Sequence, residues 1–388
     1  MKITKVTGIA LRVPCRPVAD ALTTSSARQA LLVRIETDAG IEGIGEAFSF
    51  GAPLAAMQAI LDMQLAPSLI GENPLEIERL WQTLYWRTIA NGRRSLTMAV
   101  LSGIDIALWD ILGKASHQPV CRLLGQFSDR VPSYASGGFY AEGKGIDGLK
   151  REIEGYLARG YRDAKIKIGR TLDRPAAPLS FMANQAWSVT LEEDYDRVTA
   201  AKALLGKGML IVDTNASWDS YLTLTRGREL AKLGVSWVEE PIPFEDLEGL
   251  RRISRELPEL QIIGCETQQG SANFATMIRM DAIDIAQPDL GWVGGISEGV
   301  KIGAIAAAAG RKISLHCFGS AVLFAASLHA AAAMSNTERI ESEENPNPLK
   351  TDMLLEPIQA DEHMSFFVPQ GDGLGIRLNW DKIEAMSV

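Results

Sequence analysis

Closely spaced cysteines are missing from this 388-residue chain. Its four cysteines are scattered along the sequence, at Cys15, Cys121, Cys265 and Cys317. Disulfide frameworks and zinc modules need closely spaced pairs, so the pattern speaks against both and favours reduced thiols. An excess of positive charge is missing as well, because the net charge is −9 at pH 7 and the pI is about 5.2. A chain this acidic is not expected to bind nucleic acid or an anionic membrane.

The sequence also lacks long uninterrupted hydrophobic runs. None reaches the roughly 20 residues that a membrane-spanning helix needs. The first residues, MKITKVTGIALRVP, alternate like a β-strand and show neither the apolar core nor the cleavage site of a signal peptide. With 46% hydrophobic and 22% charged residues, the composition is that of an ordinary globular protein. We therefore expect a cytoplasmic protein with no membrane partner.

The first part of the chain combines strand and helix patterns. The predicted strands are KITKVTGIALRVP and ALLVRIETDAGIEGIGEAF, the latter with a turn at DAG. The predicted helices are PLAAMQAILDMQLAPSLI, NPLEIERLWQTLYWRT and LTMAVLSGIDIALWDILGKAS. These patterns predict an α+β capping domain over residues 1–125. Turns and a short strand pattern after residue 345 predict that residues 350–388 pack back on this domain.

Between residues 126 and 349, short strand patterns alternate with helical stretches. Eight strands are predicted, at 130–136, 163–168, 209–215, 235–240, 260–266, 282–289, 312–317 and 338–342. Most of their carboxyl ends recur about every 25 residues, which is the size of a βα unit, and eight such units close a barrel. The interval after the second strand is longer, and we assign the excess to an insertion at 169–190. The predicted fold class is α/β, a modified (β/α)8 TIM-type barrel with an N-terminal α+β cap.

Three neighbouring strands are predicted to end in acidic residues: Asp213, Glu239 and Glu266 end the third, fourth and fifth strands. Active sites of such barrels lie at the carboxyl ends of the strands. Three carboxylates on one rim raise one another's pKa unless a cation binds between them. Hard oxygen ligands in this number suit Mg²⁺, so these residues are predicted to hold that metal. Glu240 alternates to the opposite face of its strand, where we expect a structural role.

Groups suited to proton transfer end the strands on either side. Lys165 and Lys167 lie in the second strand, where a divalent cation and a second ammonium group would lower the pKa of a lysine towards that of a general base. Asp289 and His316 end the sixth and seventh strands and can form an acid/base dyad. Glu341 ends the eighth strand, where a protonated carboxyl could donate a hydrogen bond to an enolate oxygen. A carboxylate substrate would thus face a proton-transfer group on each side.

The strand-end motifs together resemble the enolase superfamily, mandelate racemase subgroup. They are KIK, VDTN, VEEP, GCE, QPDLGWVGGI and LHCFG, with DGLGIRL near the C-terminus, and the likeness covers nearly the whole chain. It implies that the three strand-end acids bind Mg²⁺. It also implies that Lys167 removes the α-proton of a carboxylate substrate and that Lys165 lies near the substrate carboxylate. Family members commonly form homo-oligomers, so we expect one here.

The same resemblance implies that Asp289 and His316 form the second acid/base group. Glu341 matches the enolate-stabilising glutamate of the family, although about four extra residues separate it from His316. Protonation of the same carbon by His316 would make the enzyme a racemase or epimerase. Protonation of a leaving β-hydroxyl would make it a dehydratase that forms a 2-keto-3-deoxy acid. Acid-sugar dehydratases are the larger group among family members with these bases, so dehydration of a sugar acid is the favoured prediction.

The cap sequence bears on this choice. The segment ADALTTSSARQ at 19–29 offers hydroxyls and amides that suit a polyol, whereas Phe48, Phe50 and Trp292 would suit an aromatic substrate. We expect substrate choice to depend on cap loops at 14–30 and 47–55 and on the insertion at 170–190.

Three other classes of function fit less well. A Schiff-base aldolase would also use a barrel lysine, but it needs no carboxylate triad. GFYAEGKG at 138–145 nearly matches a phosphate-binding loop, but Gly145 stands where that loop has a hydroxyl residue. A binding protein without catalysis could share the fold, but it would not need the full set of site residues.

Overall fold

The computed structural model describes residues 1–171 and 185–388. An antiparallel sheet opens the chain, with strands β1 (Ile3–Ala19), β2 (Thr24–Thr37) and β3 (Glu42–Ala47) paired in sequence order. The pairing of β1 with β2 continues to Ala19 and Thr24. The expectation of a cap loop over residues 14–30 is therefore wrong. Ladder hydrogen bonds extend both strands until only a tight turn separates them.

Helices pack against one face of this sheet. They are α1 (Leu54–Ile60), a π-helical segment (Leu61–Leu65) and a 3-10 turn (Ala66–Ser68), then α2 (Ile77–Arg87), α3 (Ile89–Gly92), α4 (Leu96–Ser116) and α5 (Val120–Leu123). The backbone of α4 approaches β3 closely, because Gly43 and Gly45 carry no side chain where the helix crosses the strand.

The helix α4 is the core helix of the cap. By length and composition it is apolar enough to span a membrane, but 83% of its most apolar stretch is buried inside the protein. Asp105 and Asp110 interrupt its apolar sequence. Both carboxylates are buried and accept backbone hydrogen bonds, from Ser297 for Asp105 and from Ile44 and Leu374 for Asp110. These bonds satisfy the buried charges and fix the helix against its neighbours.

A closed parallel barrel follows, and it confirms the predicted fold class. After the short β4 (Arg130–Val131), the barrel strands within the described residues are β5 (Ser133–Gly137), β6 (Ala164–Lys167), β7 (Leu210–Asp213), β8 (Trp237–Glu239), β9 (Gln261–Gly264), β10 (Ile285–Ala286), β11 (Lys312–Leu315) and β12 (Thr337–Glu343). Each strand pairs with the next in sequence, and β12 closes the ring on β5. Large side chains fill the interior, from Tyr134, Ile211, Trp237, Ile263 and Ile285.

Helices cover the outside of the barrel. They are α6 (Ile146–Ala158), α7 (Leu191–Leu205), α8 (Ser220–Leu233), α9 (Leu247–Glu256), α10 (Ser271–Arg279), α11 (Gly295–Ala308) and α12 (Ala321–Ala333). Local sequence fixes several starts, as in α7, where Thr190 and Glu193 form a reciprocal capping box. Most of the insertion predicted at 169–190 lies outside the described residues.

The first predicted barrel strand, 130–136, is split at Pro132. Its first half, β4, leaves the barrel and pairs antiparallel with β13 (Phe366–Phe367) of the C-terminal segment. Only Ser133–Gly137 belongs to the barrel. Proline has no backbone N–H to donate to a ladder, which explains the break.

The C-terminal segment packs back on the cap. It contains α13 (Pro348–Thr351) and α14 (Trp380–Met386). The backbone N–H of Val388 donates to the carbonyl oxygen of Ala10 in β1 at 3.0 Å, and Ser387 forms an antiparallel β-bridge with Leu11. The Val120 N–H donates to the Gly373 carbonyl at 2.9 Å. The C-terminal segment therefore contacts both the sheet and a helix of the cap.

The cap also contacts the carboxyl end of the barrel directly. The buried carboxylate of Glu46, in β3, accepts backbone hydrogen bonds from Ser320 at 2.9 Å and Leu323 at 3.1 Å, at the start of α12. The Phe48 N–H donates to the carbonyl oxygen of Gly291 at 2.9 Å. These bonds place Phe48 and the segment after it over the strand ends.

Candidate active site

Three carboxylates meet at the carboxyl end of the barrel. Asp213 is the last residue of β7, Glu239 is the last residue of β8, and Glu266 follows β9 by two residues. All three are buried, and one carboxylate oxygen from each lies within 4.8 Å of the others. The strand pairing brings Asp213 and Glu239 into register, which explains why residues 26 positions apart in sequence lie side by side.

Electrostatics favour a cation between these groups. Burial raises the pKa of Glu239 well above its usual value, and the nearby charges of Asp213 and Glu266 raise it further. Burial also raises the pKa of Glu266. A divalent cation with a preference for oxygen would offset this repulsion, and the donor set of three carboxylates fits Mg²⁺. The residues present therefore suit the metal that the sequence predicted.

Both lysines of β6 point into the carboxylate cluster. The ammonium group of Lys167 donates to Asp213, and Lys165 donates to Glu239 at 2.6 Å and contacts Glu341 at 2.7 Å. Burial alone lowers the pKa of Lys167, but the attraction of Asp213 outweighs it and the net pKa is raised. In this arrangement the nearest charge to Lys167 is the Asp213 carboxylate, and the lowering of the lysine pKa expected beside a bound divalent cation stays a prediction.

Lys165 differs from Lys167 in its access to substrate. It is fully buried, with its ammonium group 5.8 Å from the ring centre of Tyr134, whereas Lys167 lines the main cavity. The structure thus places Lys165 beneath the carboxylates, where it bridges Glu239 and Glu341. Its predicted place beside a substrate carboxylate stays a prediction.

Asp289 and His316 lie together on the other flank. The Nδ1 atom of His316 is 2.6 Å from a carboxylate oxygen of Asp289, whose other oxygen accepts the Gly291 N–H at 2.7 Å. The Nε2 atom points to Glu266 at 3.1 Å. Burial lowers the pKa of His316, but the carboxylates of Glu266, Glu341 and Asp289 outweigh it and raise the pKa to about 10. These carboxylates therefore favour the protonated imidazole in this arrangement.

Glu341, in β12, lies between the lysine and the histidine. Its carboxylate contacts Lys165 at 2.7 Å and lies 3.5 Å from His316 Nε2. Burial raises its pKa, but the charges of Lys165 and His316 dominate and lower the pKa to about 2. These charges favour the ionised carboxylate in this arrangement. Donation of a hydrogen bond from a protonated Glu341 to an enolate oxygen stays a prediction.

Aromatic rings surround His316. Phe50 stacks on the imidazole with ring centres 5.7 Å apart, and Phe318 stacks at 6.3 Å. Phe48 lies 6.0 Å away, and Trp292 contacts Phe50 edge-on at 5.0 Å. These rings limit water around the imidazole. The aromatic cap residues therefore form a wall around the dyad.

One cavity of about 380 Å³ joins the two flanks. Lys167, Glu266 and His316 line one end of it. The hairpin turn between β1 and β2 and the start of β2 line the cap side of the cavity, which we call its far end, with hydroxyl and amide groups from Thr23, Thr24, Ser25, Ser26 and Gln29. The polar lining predicted for residues 19–29 thus faces the proton-transfer groups.

Several site residues escaped the sequence prediction. Gln287 donates to Glu239 at 2.8 Å, and Asn215 donates to Asp213 through its backbone N–H at 2.8 Å. Each lies two positions from a predicted site residue, so the two-residue strand period could have found them. Arg170 follows β6 and donates to the Asp20 carbonyl at 2.9 Å, which ties the hairpin turn to the barrel. No local pattern signals this contact.

Glu240 lies behind the triad. Burial raises its pKa to about 7, and its carboxylate accepts a hydrogen bond from the Thr267 hydroxyl at 3.2 Å. It is absent from the residues that line the cavity within the described part of the chain. This placement agrees with the structural role expected from the sequence.

Comparison with known proteins covers both parts of the chain. The family model for the N-terminal domain of mandelate racemase and muconate lactonizing enzyme matches residues 3–125, and the model described as enolase C-terminal domain-like matches residues 148–382. An arabinonate dehydratase of Saccharolobus solfataricus is 35% identical over 343 residues, which cover 88% of this chain and 86% of the relative. A D-galactarolactone cycloisomerase of Agrobacterium fabrum is 32% identical, with 92% and 90% covered.

A solved structure has the same fold. It is a racemase from Streptomyces coelicolor A3(2) with bound magnesium, 27% identical, with a TM-score of 0.88 and all of both chains covered. Relatives with this architecture thus include proteins named for dehydration, cycloisomerisation and racemisation.

Proposed function

Because the chain belongs to the mandelate racemase subgroup of the enolase superfamily, we propose that it is a Mg²⁺-dependent dehydratase of a sugar acid. The product is a 2-keto-3-deoxy acid. One observation carries the proposal: Lys167 and His316 border the carboxylate triad in a cavity whose other end is lined with hydroxyl groups. That cavity accepts an anionic head and a polyol tail.

The reaction divides between the two flanks. Lys167 acts in its neutral form, which a divalent cation held by the neighbouring carboxylates would favour over the ammonium paired with Asp213. It removes the α-proton, and the electron pair of the broken C–H bond moves into the carboxylate to form an enediolate. The bond from the β-carbon to its hydroxyl group then breaks, and the departing oxygen takes the Nε2 proton of His316 and leaves as water. The resulting enol becomes the 2-keto-3-deoxy acid by tautomerisation. Lys167 and His316 act as base and acid respectively.

Asp213, Glu239 and Glu266 would hold the metal. Bound Mg²⁺ supplies positive charge that stabilises the second negative charge developing on the substrate carboxylate. Lys165 adds a fixed ammonium group beneath the triad, held by Glu239 and Glu341. Asp289 holds the imidazole of His316 in the orientation that directs Nε2 to the substrate.

Racemisation or epimerisation is the second candidate. The same two groups face one cavity from opposite flanks, so His316 could return a proton to the α-carbon instead of the departing oxygen. The rings of Phe48 and Phe50 beside His316, with Trp292 against Phe50, favour this second candidate for a substrate with an apolar group. The hydroxyl-lined far end favours the polyol and therefore the dehydratase.

A direct assay tests the proposal. Purified protein with Mg²⁺ is incubated with a panel of aldonates and aldarates, and 2-keto-3-deoxy acids are detected as their semicarbazones. We expect product from at least one acid, its loss with a chelator and its recovery when Mg²⁺ is added back. Full activity in the presence of the chelator would contradict the metal requirement. The absence of any keto acid across the panel would contradict the dehydratase assignment.

Three further expectations stay predictions. They are a cytoplasmic location, a homo-oligomeric state, and a division into a capping domain at 1–125, completed by 350–388, and a barrel at 126–349. Chromatography with light scattering measures the oligomeric state directly.

A further inference from the structure

The far end of the main cavity contains a buried ion pair. Arg28, in β2, is 5% exposed, and its Nη2 donates to a carboxylate oxygen of Glu343 at 2.9 Å. Glu343 ends β12 and is 3% exposed. Arg28 lines the cavity, whereas Glu343 lies behind it. The cation that faces the far end of a bound substrate is thus already neutralised by the protein.

Stacked planar side chains connect Arg28 with His316, the proposed acid. The guanidinium carbon lies 4.8 Å from the ring centre of Phe318, and that ring stacks on His316 at 6.3 Å. One ring therefore separates Arg28 from the proposed acid. The Nε of Arg28 is buried and has no hydrogen-bond partner. A substrate that reacts beside His316 extends its tail towards this guanidinium.

Two other charged residues line the cap side of the cavity. Arg12 and Asp20 line the same cavity and have opposite signs. Arg12 is exposed, so water screens its charge. The carboxylate of Asp20 accepts hydrogen bonds from Leu22 and Thr23 within the hairpin turn. Among the described residues that line the far end, Arg28 is therefore the buried cation, and its charge is paired with Glu343.

We propose that the Arg28–Glu343 pair makes the enzyme select aldonates, whose far end is an uncharged hydroxyl, over aldarates, whose far end is a second carboxylate. The inference rests on the proposed sugar-acid dehydratase function and names its substrate class. A second carboxylate would have to be buried near Glu343, beside a buried cation that is already paired, which is costly. Hydroxyl groups instead accept from Arg28 and bond with the polar turn.

Binding measurements test this selection separately from turnover. Protein carrying His316→Asn, loaded with Mg²⁺, is titrated calorimetrically with five- and six-carbon aldonates and with the matching aldarates. We expect the best aldonate to bind about tenfold more tightly than the best aldarate. Tighter binding of an aldarate, or binding of neither class, would overturn the inference. Selective aldonate binding without turnover by the unmutated enzyme would overturn only the proposed function.

Charge variants identify the cause of the selection. Glu343→Gln leaves Arg28 unpaired, so we expect it to shift the affinity ratio about tenfold towards aldarates. The double variant Arg28→Gln with Glu343→Gln carries no charge at these two positions, so we expect it to keep the original preference for aldonates. Its binding of aldonates would also show that the protein folds without this ion pair. Glu344→Gln is the matched control, since Glu344 bonds to Tyr161 outside the cavity. An unchanged ratio in Glu343→Gln, or a shift equal to it in Glu344→Gln, would refute the role of the pair.

Discussion

At the scale of single residues, the site is an alternating set of buried charges. Lys167 faces Asp213, Lys165 faces Glu239 and Glu341, and His316 faces three carboxylates. Sequence reasoning predicted these residues because each lies at a strand end. Their protonation could not be read from the sequence, since the pKa of a buried group depends on the charges nearest to it in the fold and not on its own position in the chain.

Substitution of Asp289 tests the dyad. We predict that Asp289→Asn lowers the dehydration rate about 100-fold with little change in KM, because the amide no longer fixes the imidazole or stabilises its charge. Exchange of the substrate α-proton with solvent should continue, since Lys167 performs that step. Rates of product formation and of deuterium exchange measure the two steps. An equal loss of both would contradict the separation of roles between Lys167 and His316.

We predict that His329, in α12, makes the free energy of unfolding decrease at low pH. Its Nδ1 accepts the Cys121 N–H at 3.1 Å, its Nε2 lies 3.0 Å from the Leu374 carbonyl, and burial lowers its pKa to about 4. An unfolded histidine has a pKa near 6.5, so between these values the unfolded state binds more protons and stability falls as pH falls. From pH 7 to pH 5 the loss due to His329 is about 2 kcal/mol.

The variant His329→Gln checks this value. Glutamine can donate and accept but does not titrate, so its loss of unfolding free energy between pH 7 and pH 5 should be smaller by about 2 kcal/mol. Urea unfolding of both proteins at each pH gives the comparison. Parallel losses in the two proteins would show that His329 does not carry the effect.

At the scale of elements, close backbone packing joins the cap sheet to α4. A side chain at Gly45 would clash with the backbone of Gly103 and lie 2.7 Å from the Ala107 nitrogen. Because backbone atoms cannot rotate away, we predict that Gly45→Ala lowers the free energy of unfolding by about 3 kcal/mol. Denaturant unfolding measures the change.

A matched substitution controls for the chemistry of the change. Gly155 lies in α6, is exposed, and has open space where a methyl group would be added. Gly155→Ala should raise the free energy of unfolding by about 1 kcal/mol, because alanine is the better helix former. Destabilisation by both substitutions to the same degree would argue against a specific clash at Gly45.

Elements were predictable where local pattern decides them. The helix predicted at 96–116 is the observed α4, and the last barrel strand differs from its prediction by one residue at each end. The bounds of the other strands depend on pairing between residues that are far apart in the sequence. The split at Pro132 depends on pairing with β13, more than 230 residues away. The hairpin of β1 and β2 depends on hydrogen bonds between two segments whose hydrophobic and polar residues do not alternate strongly.

At the scale of the whole molecule, barrel closure brings together residues from seven strand ends. Repeat spacing predicted this closure and therefore the triad. It could not predict the cavity, because the cap hairpin, α12 and Arg170 meet only after the two parts of the chain pack. The Arg28–Glu343 pair, separated by 315 residues, is the clearest such case.

Metal binding should stabilise the whole molecule. A ligand that binds only the folded state at 100 times its Kd adds about 2.7 kcal/mol. We predict that Mg²⁺ raises Tm and that Asp213→Asn with Glu239→Gln abolishes the increase, because the donor set is lost. Calorimetric scans with and without Mg²⁺ measure it. A full increase in the double variant would place the metal elsewhere.

Proton NMR in D₂O, with Mg²⁺ and an aldonate that the protein consumes, tests the dehydratase assignment most directly. We predict that the substrate signals disappear and that a 2-keto-3-deoxy acid appears with deuterium at C3, because the enol takes its proton from solvent. Loss of the α-proton signal with an unchanged carbon skeleton would contradict the assignment, since it would show that His316 or Lys167 returns a proton to the carbon from which it was taken.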